Sequence, residues 1–312
     1  MTESGPPGDR GVVTGQGVVD FSHLTSAEEL GAVSRIEGAG AVVVPESLAG
    51  AYAAIPTEGV GGVVYVPDGA NVRVHVGPLM VGGDGLGAAE DVLVIVGVLV
   101  ITSPVTGVVP RQVSVVGSVL APQGSESALG PLLGGGVGSV SYYRYAEGQH
   151  LKVLSGQVKL SGAILANPAG QPDDVLIAAG QVVVTGPVTS VGYAQVLVAG
   201  QLVAPAASRE MLEPRIQAQG QSAWYRSDDP RIIIEDTRLG PDFFRLLDHP
   251  VSLVVLADLS ITPGVTEAAV LEKVADIVLL GDLTAPGDLV PVLQVLAVDA
   301  FGAIRADDGP GS

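Results

Sequence analysis

One segment of the sequence concentrates side chains that could perform acid–base chemistry. Its four carboxylates are interleaved with three arginines: Asp228, Asp229, Glu235 and Asp236, with Arg226, Arg231 and Arg238. Paired carboxylates can divide the roles of general acid and general base when their surroundings push their pKa values apart. The cluster is therefore a candidate catalytic site of a carbohydrate-active enzyme. Asp228 and Asp229, followed by Pro230, also fit an ordinary turn with the arginines as ion-pair partners.

Other catalytic signatures are missing from the sequence. The glycine cluster from Gly134 to Gly138 lacks the spacing of a phosphate-binding loop. The four histidines are scattered at no metal-ligand spacing, and there are no cysteines, which excludes disulfides and thiolate metal sites. The sequence therefore predicts no cofactor and no bound metal, and it favours a protein that is not an enzyme.

Aromatic residues make up only 4% of the chain, and three groups of them are candidates for contact with a partner. They are Tyr142, Tyr143 and Tyr145; Trp224; and Phe243 with Phe244. The two phenylalanines lie in the segment 240–249, which predicts a short amphipathic helix. That helix could contact a partner or cover an open seam of the fold.

The elements that position these residues follow from a repeated phrase: an apolar β-branched run, a glycine, more apolar residues and a proline. The marker glycines of the best copies are Gly97, Gly117, Gly180, Gly200 and Gly281, and the prolines are Pro104, Pro122, Pro187, Pro205 and Pro286. Counting the weaker copies Gly77 and Gly162, the glycines recur every 18–20 residues within the runs 77–117 and 162–200, and Ala257 of a degenerate copy precedes Gly281 by 24 residues. Self-similarity with such a period is typical of repeat architectures.

The phrase predicts a mainly β fold, a parallel β-solenoid of about 20–24-residue coils with short helical connections. Near-continuous Val, Ile and Leu runs fit strands buried in a parallel arrangement. Glycine permits backbone conformations closed to other residues, and proline ends a strand because it cannot donate a ladder hydrogen bond. A β-sandwich is the alternative.

The repeats also predict the organisation of the chain. Residues 1–19 and 305–312 are expected to be disordered tails, and residues 20–304 a single domain with divergent coils over 36–90. Two segments break the rhythm and are predicted to be inserts, near 123–149 and 217–250. Insertions of a solenoid loop out from one face and often carry its binding function.

Composition limits the class of partner. The 312 residues hold 15 basic and 33 acidic side chains, a net charge of −18. Such a surface repels nucleic acid and anionic membranes. The longest apolar run, Val92 to Ile101, is too short to span a bilayer as a helix, and the N-terminal residues do not form a secretory signal. We expect a cytoplasmic protein.

The copies ending at Pro122, Pro187 and Pro205 resemble the β-helical cores of polymer-forming bacterial proteins such as bactofilins, and the β-helical domain of the division inhibitor MinC. The resemblance is one of pattern and covers about half of the chain. It implies a bacterial-like, non-enzymatic scaffold that forms a homo-oligomer or polymer through its sheet surfaces or coil ends. A protein-binding module acting through the inserts is the second hypothesis, and a carbohydrate-active enzyme is the third.

Overall fold

The computed structural model describes residues 11–15, 17–134 and 138–307. In this part of the chain 23 strands and eight α-helices are present, and the strands pair in parallel. The prediction of a mainly β fold with parallel strands is confirmed. The chain divides into two compact units, residues 1–149 and 150–312, where the sequence predicted one domain over 20–304.

The first unit carries two short-stranded sheets and one long-stranded sheet. Its elements are β1 (Gly11–Thr14), β2 (Val18–Asp20), α1 (Ala27–Leu30), β3 (Val33–Glu37), β4 (Ala41–Pro45), α2 (Ala49–Tyr52), β5 (Thr57–Glu58), β6 (Val63–Val66), β7 (Asn71–Val81), β8 (Asp91–Ile101), β9 (Gln112–Pro122), α3 (Glu126–Leu129) and β10 (Ser139–Tyr143). The strand orders are β1-β3-β5, β2-β4-β6 and β7-β8-β9-β10.

The second unit begins with a long-stranded sheet and continues with two short-stranded ones. Its elements are β11 (Leu151–Ser161), α4 (Gly162–Leu165), β12 (Val175–Thr185), β13 (Gln195–Pro205), α5 (Arg209–Leu212), β14 (Ile216–Ala218), β15 (Ser222–Tyr225), β16 (Pro230–Ile233), β17 (Thr237–Leu239), α6 (Pro241–Arg245), β18 (Val251–Val255), β19 (Leu259–Ile261), α7 (Glu267–Lys273), β20 (Val274–Leu279), β21 (Leu283–Ala285), α8 (Val290–Leu296), β22 (Ala297–Ala300) and β23 (Ile304–Ala306). In the first sheet the order is β11-β12-β13, and both β14 and β15 pair with β13. The other two sheets have the orders β16-β18-β20-β22 and β17-β19-β21-β23.

The marker glycines stack on one another across each long-stranded sheet. Gly97 pairs with Gly117 on one neighbouring strand, and Gly180 pairs with Gly200. On the other side of Gly180 the paired residue is Gly156, because β11 is in register over its whole length. The sequence prediction that used Gly162 is therefore corrected: that residue begins α4, directly after the last residue of β11.

Two of the glycines show why no other residue fits. Gly117 has φ +143° and Gly200 has φ +146°, a region that residues with a side chain rarely adopt. A Cβ atom on Gly117 would lie 1.9 Å from the carbonyl oxygen of Gly97. Gly281 has an ordinary φ, yet its Cβ would lie 2.1 Å from the carbonyl oxygen of Ala257. Close approach of stacked backbones therefore requires glycine there.

The repeat prolines stand where strands end. Pro122 and Pro205 are the last residues of β9 and β13. Pro104, Pro187 and Pro286 follow the ends of β8, β12 and β21 within three residues. Proline lacks the N–H that a ladder bond needs, so it closes a strand at little cost.

The inner long strands, β8, β9, β12 and β13, are mostly apolar because both of their faces are buried. In β8, Leu93 and Ile95 point into the core beside α3, whereas Val92 and Val94 pack against Val43 and other residues of the β2-β4-β6 sheet. In the second unit Val183 and Val203 pack likewise against the sheet that contains β18 and β20. A strand covered on one face only would have alternated apolar and polar residues.

The two segments predicted as inserts contain strands that belong to the sheets. In the segment 123–149, β10 pairs in register with β9 and continues its sheet. In the segment 217–250, β14 and β15 continue the sheet of β13, and β16 and β17 begin the next two sheets. Strands at the end of a sheet are covered on fewer sides and need fewer apolar residues. The repeated apolar phrase is therefore hard to recognise in their sequences.

The two long-stranded sheets repeat the same contacts at an offset of 83 residues. Asp91 accepts a hydrogen bond from the Ala88 amide (3.1 Å), and Asp174 accepts one from the Gln171 amide (3.0 Å). Two further pairs of hydrogen bonds are equivalent. The Val105 amide donates to Ser125 Oγ as the Val188 amide donates to Ser208 Oγ. The Tyr143 hydroxyl donates to the Ile101 carbonyl as the Tyr225 hydroxyl donates to the Val184 carbonyl. The second tyrosine is offset by 82 residues. The chain therefore contains a duplicated structural module.

The termini differ from the predicted tails. Strand β1 pairs with β3 inside the segment assigned to the N-terminal tail, and β23 pairs with β21 through Ala306. Pairing to a neighbouring strand imposes β structure even where glycine-rich composition gives no periodic signal. Residues 1–10, 16 and 308–312 of the two predicted tails, and residues 135–137 of the glycine cluster, lie outside the described residues.

Candidate functional site

The predicted carboxylate cluster lies on exposed turns around β16. Asp229 forms ion pairs with Arg231 (3.0 Å) and His249 (3.2 Å), and Asp236 accepts the amide of Asp258 (3.3 Å). Asp228, Glu235 and Asp236 are exposed. Acid–base partners need surroundings that separate their pKa values. The contacts here are those of turns and surface ion pairs.

The predicted aromatic contacts differ in their access to solvent. Tyr143 is fully buried and its hydroxyl donates to the Ile101 carbonyl at 2.7 Å; burial raises the pKa of this phenol. Phe244 is also buried, and Phe243 packs on the same core, edge to face with it. Tyr143 and Phe244 are therefore core residues, and Phe243 is partly buried against the same core as Phe244.

The remaining aromatic candidates, Tyr142, Tyr145 and Trp224, are partly exposed. Trp224 lines a cavity of about 240 Å³ at the last strands of the β11–β15 sheet. The guanidinium of Arg209 lies over its ring, 5.2 Å from the centroid, and forms an ion pair with Glu213 at 2.6 Å. Leu202 and Ile216 complete the apolar wall.

Strand β7 is a long edge strand of the first unit. It is 11 residues long and pairs with β8 along its whole length, and it stands at the end of its sheet. Val76 and Met80 are 57% and 55% exposed, and Val74 is 37% exposed. A long edge strand with exposed apolar side chains is a template for pairing with another chain.

Strand β11 stands at the corresponding end of the duplicated module and carries different side chains. It is also 11 residues long, but it contains Lys152 and Lys159, two of the three lysines of the chain. Lysine on an edge strand discourages the addition of another strand. Lys152 and Lys159 therefore act against association at β11, whereas β7 has Arg73 and His75 but also the three exposed apolar residues.

The opposite end of the same sheet is closed by carboxylates. The Trp224 amide donates to Asp299 Oδ2 (2.8 Å), and the Arg226 amide donates to both carboxylate oxygens of Asp276 (3.2 and 3.3 Å). Asp276 is completely buried and also accepts the Ser252 hydroxyl. Alternate amides of an edge strand point away from its sheet, so these carboxylates occupy donors that an added strand would use.

A ladder of glutamines runs beside the marker glycines of the second unit. The Nε2 groups of Gln157, Gln181 and Gln201 donate to the Oε1 of the next glutamine, at 3.4, 3.2 and 2.9 Å, ending at Gln221. Stacked amides of this kind reinforce in-register parallel strands. The ladder was not predicted, although the sequence contains its signal: four Gly-Gln dipeptides in the copies of the repeat.

The described residues contain no group of three or more His, Asp or Glu side chains that could hold a metal ion. No helix in the described ranges is long and apolar enough to cross a bilayer. Comparisons with protein-family models, curated proteins and solved structures found no match. The resemblance to bactofilins and to the MinC domain therefore stays a prediction, and function must be inferred from the chain's own residues.

Proposed function

We propose that this chain is a non-enzymatic, cytoplasmic β-solenoid scaffold that self-associates through the edge of β7. The observation that carries the proposal is the 11-residue edge strand with Val74, Val76 and Met80 exposed. The stacked glycines and the register of 20–24 residues between neighbouring strands support the solenoid. Two copies paired through β7 would satisfy its open backbone groups and cover its apolar side chains.

The edge strands of the second unit favour an assembly that stops at a dimer over one that grows without limit. Lys152 and Lys159 disfavour addition at β11, and Asp299 and Asp276 accept the amides of Trp224 in β15 and of Arg226 just after it. Pairing of β7 with β7 of a second copy would bury the same surface on both chains. Such an isologous contact closes as a dimer.

Light scattering at increasing salt tests the proposal. The charge of −18 opposes association, and its repulsion is screened beyond about 8 Å at physiological ionic strength. We expect the mass to rise with salt in the natural chain and to stay at one chain in Val76→Lys and Met80→Lys variants. The control is Val108→Lys, another exposed valine of the same unit. A mass of one chain at every salt concentration would refute self-association.

A protein-binding module is the second candidate function, and the cavity beside Trp224 favours it. Its apolar wall and the aromatic ring offer a site for a side chain of a bound protein. Trp224→Ala should abolish binding of such a partner without changing the mass of the chain by light scattering. A partner retained by Trp224→Ala would rule this cavity out.

A further inference from the structure

Three short helices of the second unit present apolar side chains to solvent. Helices α6, α7 and α8 connect successive strands and contact one another in that order. Phe244, Val270 and Leu293 point from them into the core. On the outer side Leu246 is 71%, Leu271 53% and Val295 80% exposed. Single exposed apolar residues are ordinary on a protein surface, but a contiguous group of them marks an interaction site.

Two of these residues line a groove between α7 and α8. Its volume is about 360 Å³, and its apolar lining consists of Leu271, Pro291, Val292 and Val295. The groove has a physical cause: packed helices need about 8–10 Å between axes, whereas neighbouring strands lie ~4.8 Å apart. Helices attached to neighbouring strands therefore cannot keep the strand spacing, and a furrow opens between them.

The charged residues of the groove have one sign. Glu267 and Asp288 are its only charged lining residues, and the ion pairs of the described residues include neither of them. The lysine at the end of α7, Lys273, is already paired with Glu272 at 3.0 Å. Two free carboxylates beside an apolar furrow favour a ligand that is apolar in the middle and cationic at its margins.

We propose that the α7–α8 groove binds an amphipathic segment of a partner protein, with aliphatic side chains on one face and Lys or Arg beside them. Each of the two helices has seven residues and is therefore about 10 Å long, which matches two turns of a bound helix. Anchors at i, i+3 or i+4 and i+7 would fill the furrow. This surface is separate from the strand edge of β7, so the inference goes beyond the proposed function.

A designed peptide tests the groove directly. The probe is a fluorescent helix of about five turns with Leu on one face and Lys elsewhere, titrated with the full chain and followed by anisotropy. The matched probe replaces every Lys by Glu. We expect micromolar binding of the Lys probe only. The variant Leu271→Ser/Val295→Ser should weaken it at least tenfold, and Glu267→Gln/Asp288→Asn should weaken it and reduce its dependence on salt.

The control variant is Val108→Ser, which removes a valine that is 64% exposed in the first unit. Equal binding by Val108→Ser and by the groove variant would overturn the proposal, because the probe would then bind the acidic surface in general. Loss of self-association in the groove variant would also overturn it, since the occupant would be a second copy. Circular dichroism checks that each variant is folded, since exposed substitutions change stability little.

Discussion

A pair of glycine substitutions in one sheet separates backbone strain from the close approach of strands. Gly156 and Gly200 both have positive φ, +89° and +146°, and both belong to the ladder that includes Gly180. They differ in their surroundings. An ideal Cβ on Gly156 meets nothing within 4 Å, whereas one on Gly200 lies 2.0 Å from the carbonyl oxygen of Gly180.

The magnitudes follow from this difference. Alanine at either position incurs backbone strain of about 1–2 kcal/mol. At Gly200 the strands must also separate by about 1.4 Å, the difference between 2.0 Å and an ordinary contact at 3.4 Å. Overpacking of this kind costs about 1–3 kcal/mol. Gly200→Ala should therefore destabilise the second unit by roughly 2–5 kcal/mol and Gly156→Ala by about 1–2 kcal/mol.

Thermal denaturation and hydrogen exchange measure the two effects. Each kcal/mol lowers the midpoint by about 2–4 °C in a unit of this size. In Gly200→Ala the amides of β12 and β13 should lose protection first, because stacked strands share interfaces with their nearest neighbours. Equal destabilisation by the two variants would refute the explanation by close approach and leave backbone conformation as the only role of these glycines.

Two further predictions concern the polar contacts of β15. Burial raises the pKa of Tyr225 to about 12. Since the unfolded phenol titrates near about 10, the folded chain should lose stability as pH rises from about 10 to about 12, and Tyr225→Phe should lessen that loss while costing about 1 kcal/mol at neutral pH. Asp299→Ala frees the Trp224 amide and should increase the mass seen by light scattering; the charge-matched control Asp307→Ala should do so less, and equal masses would show that the carboxylate protects no edge.

The repeat phrase was sufficient to predict parallel strands, the stacked glycines and the prolines that end strands. It failed where a strand stands at the end of a sheet. The strand β10 was missed because only one neighbour, β9, pairs with it, and its residues are therefore more polar. Gly156 was passed over for Gly162 because the connection through α4 is longer than those between later strands.

The surfaces were harder to predict than the strands. Tyr143 and Phe244 were candidates for contact with a partner, yet both are buried. In a chain with few aromatic residues, an aromatic side chain indicates a core position as readily as an interface. The carboxylate closure of β15 joins residues 75 and 50 positions apart, Trp224 to Asp299 and Arg226 to Asp276. No spacing rule connects such positions.

The sequence by itself determined the features that depend on local interactions: which residues form strands, where glycine must allow stacked backbones to approach, and where proline ends a strand. Only the tertiary structure decided which strand edges are open, which carry lysine and which are closed by a distant carboxylate. The physical reason is that an edge is defined by the absence or presence of a neighbour. A strand such as β7 has the pattern of a paired strand in its own residues, and its exposure depends on what the rest of the chain places beside it.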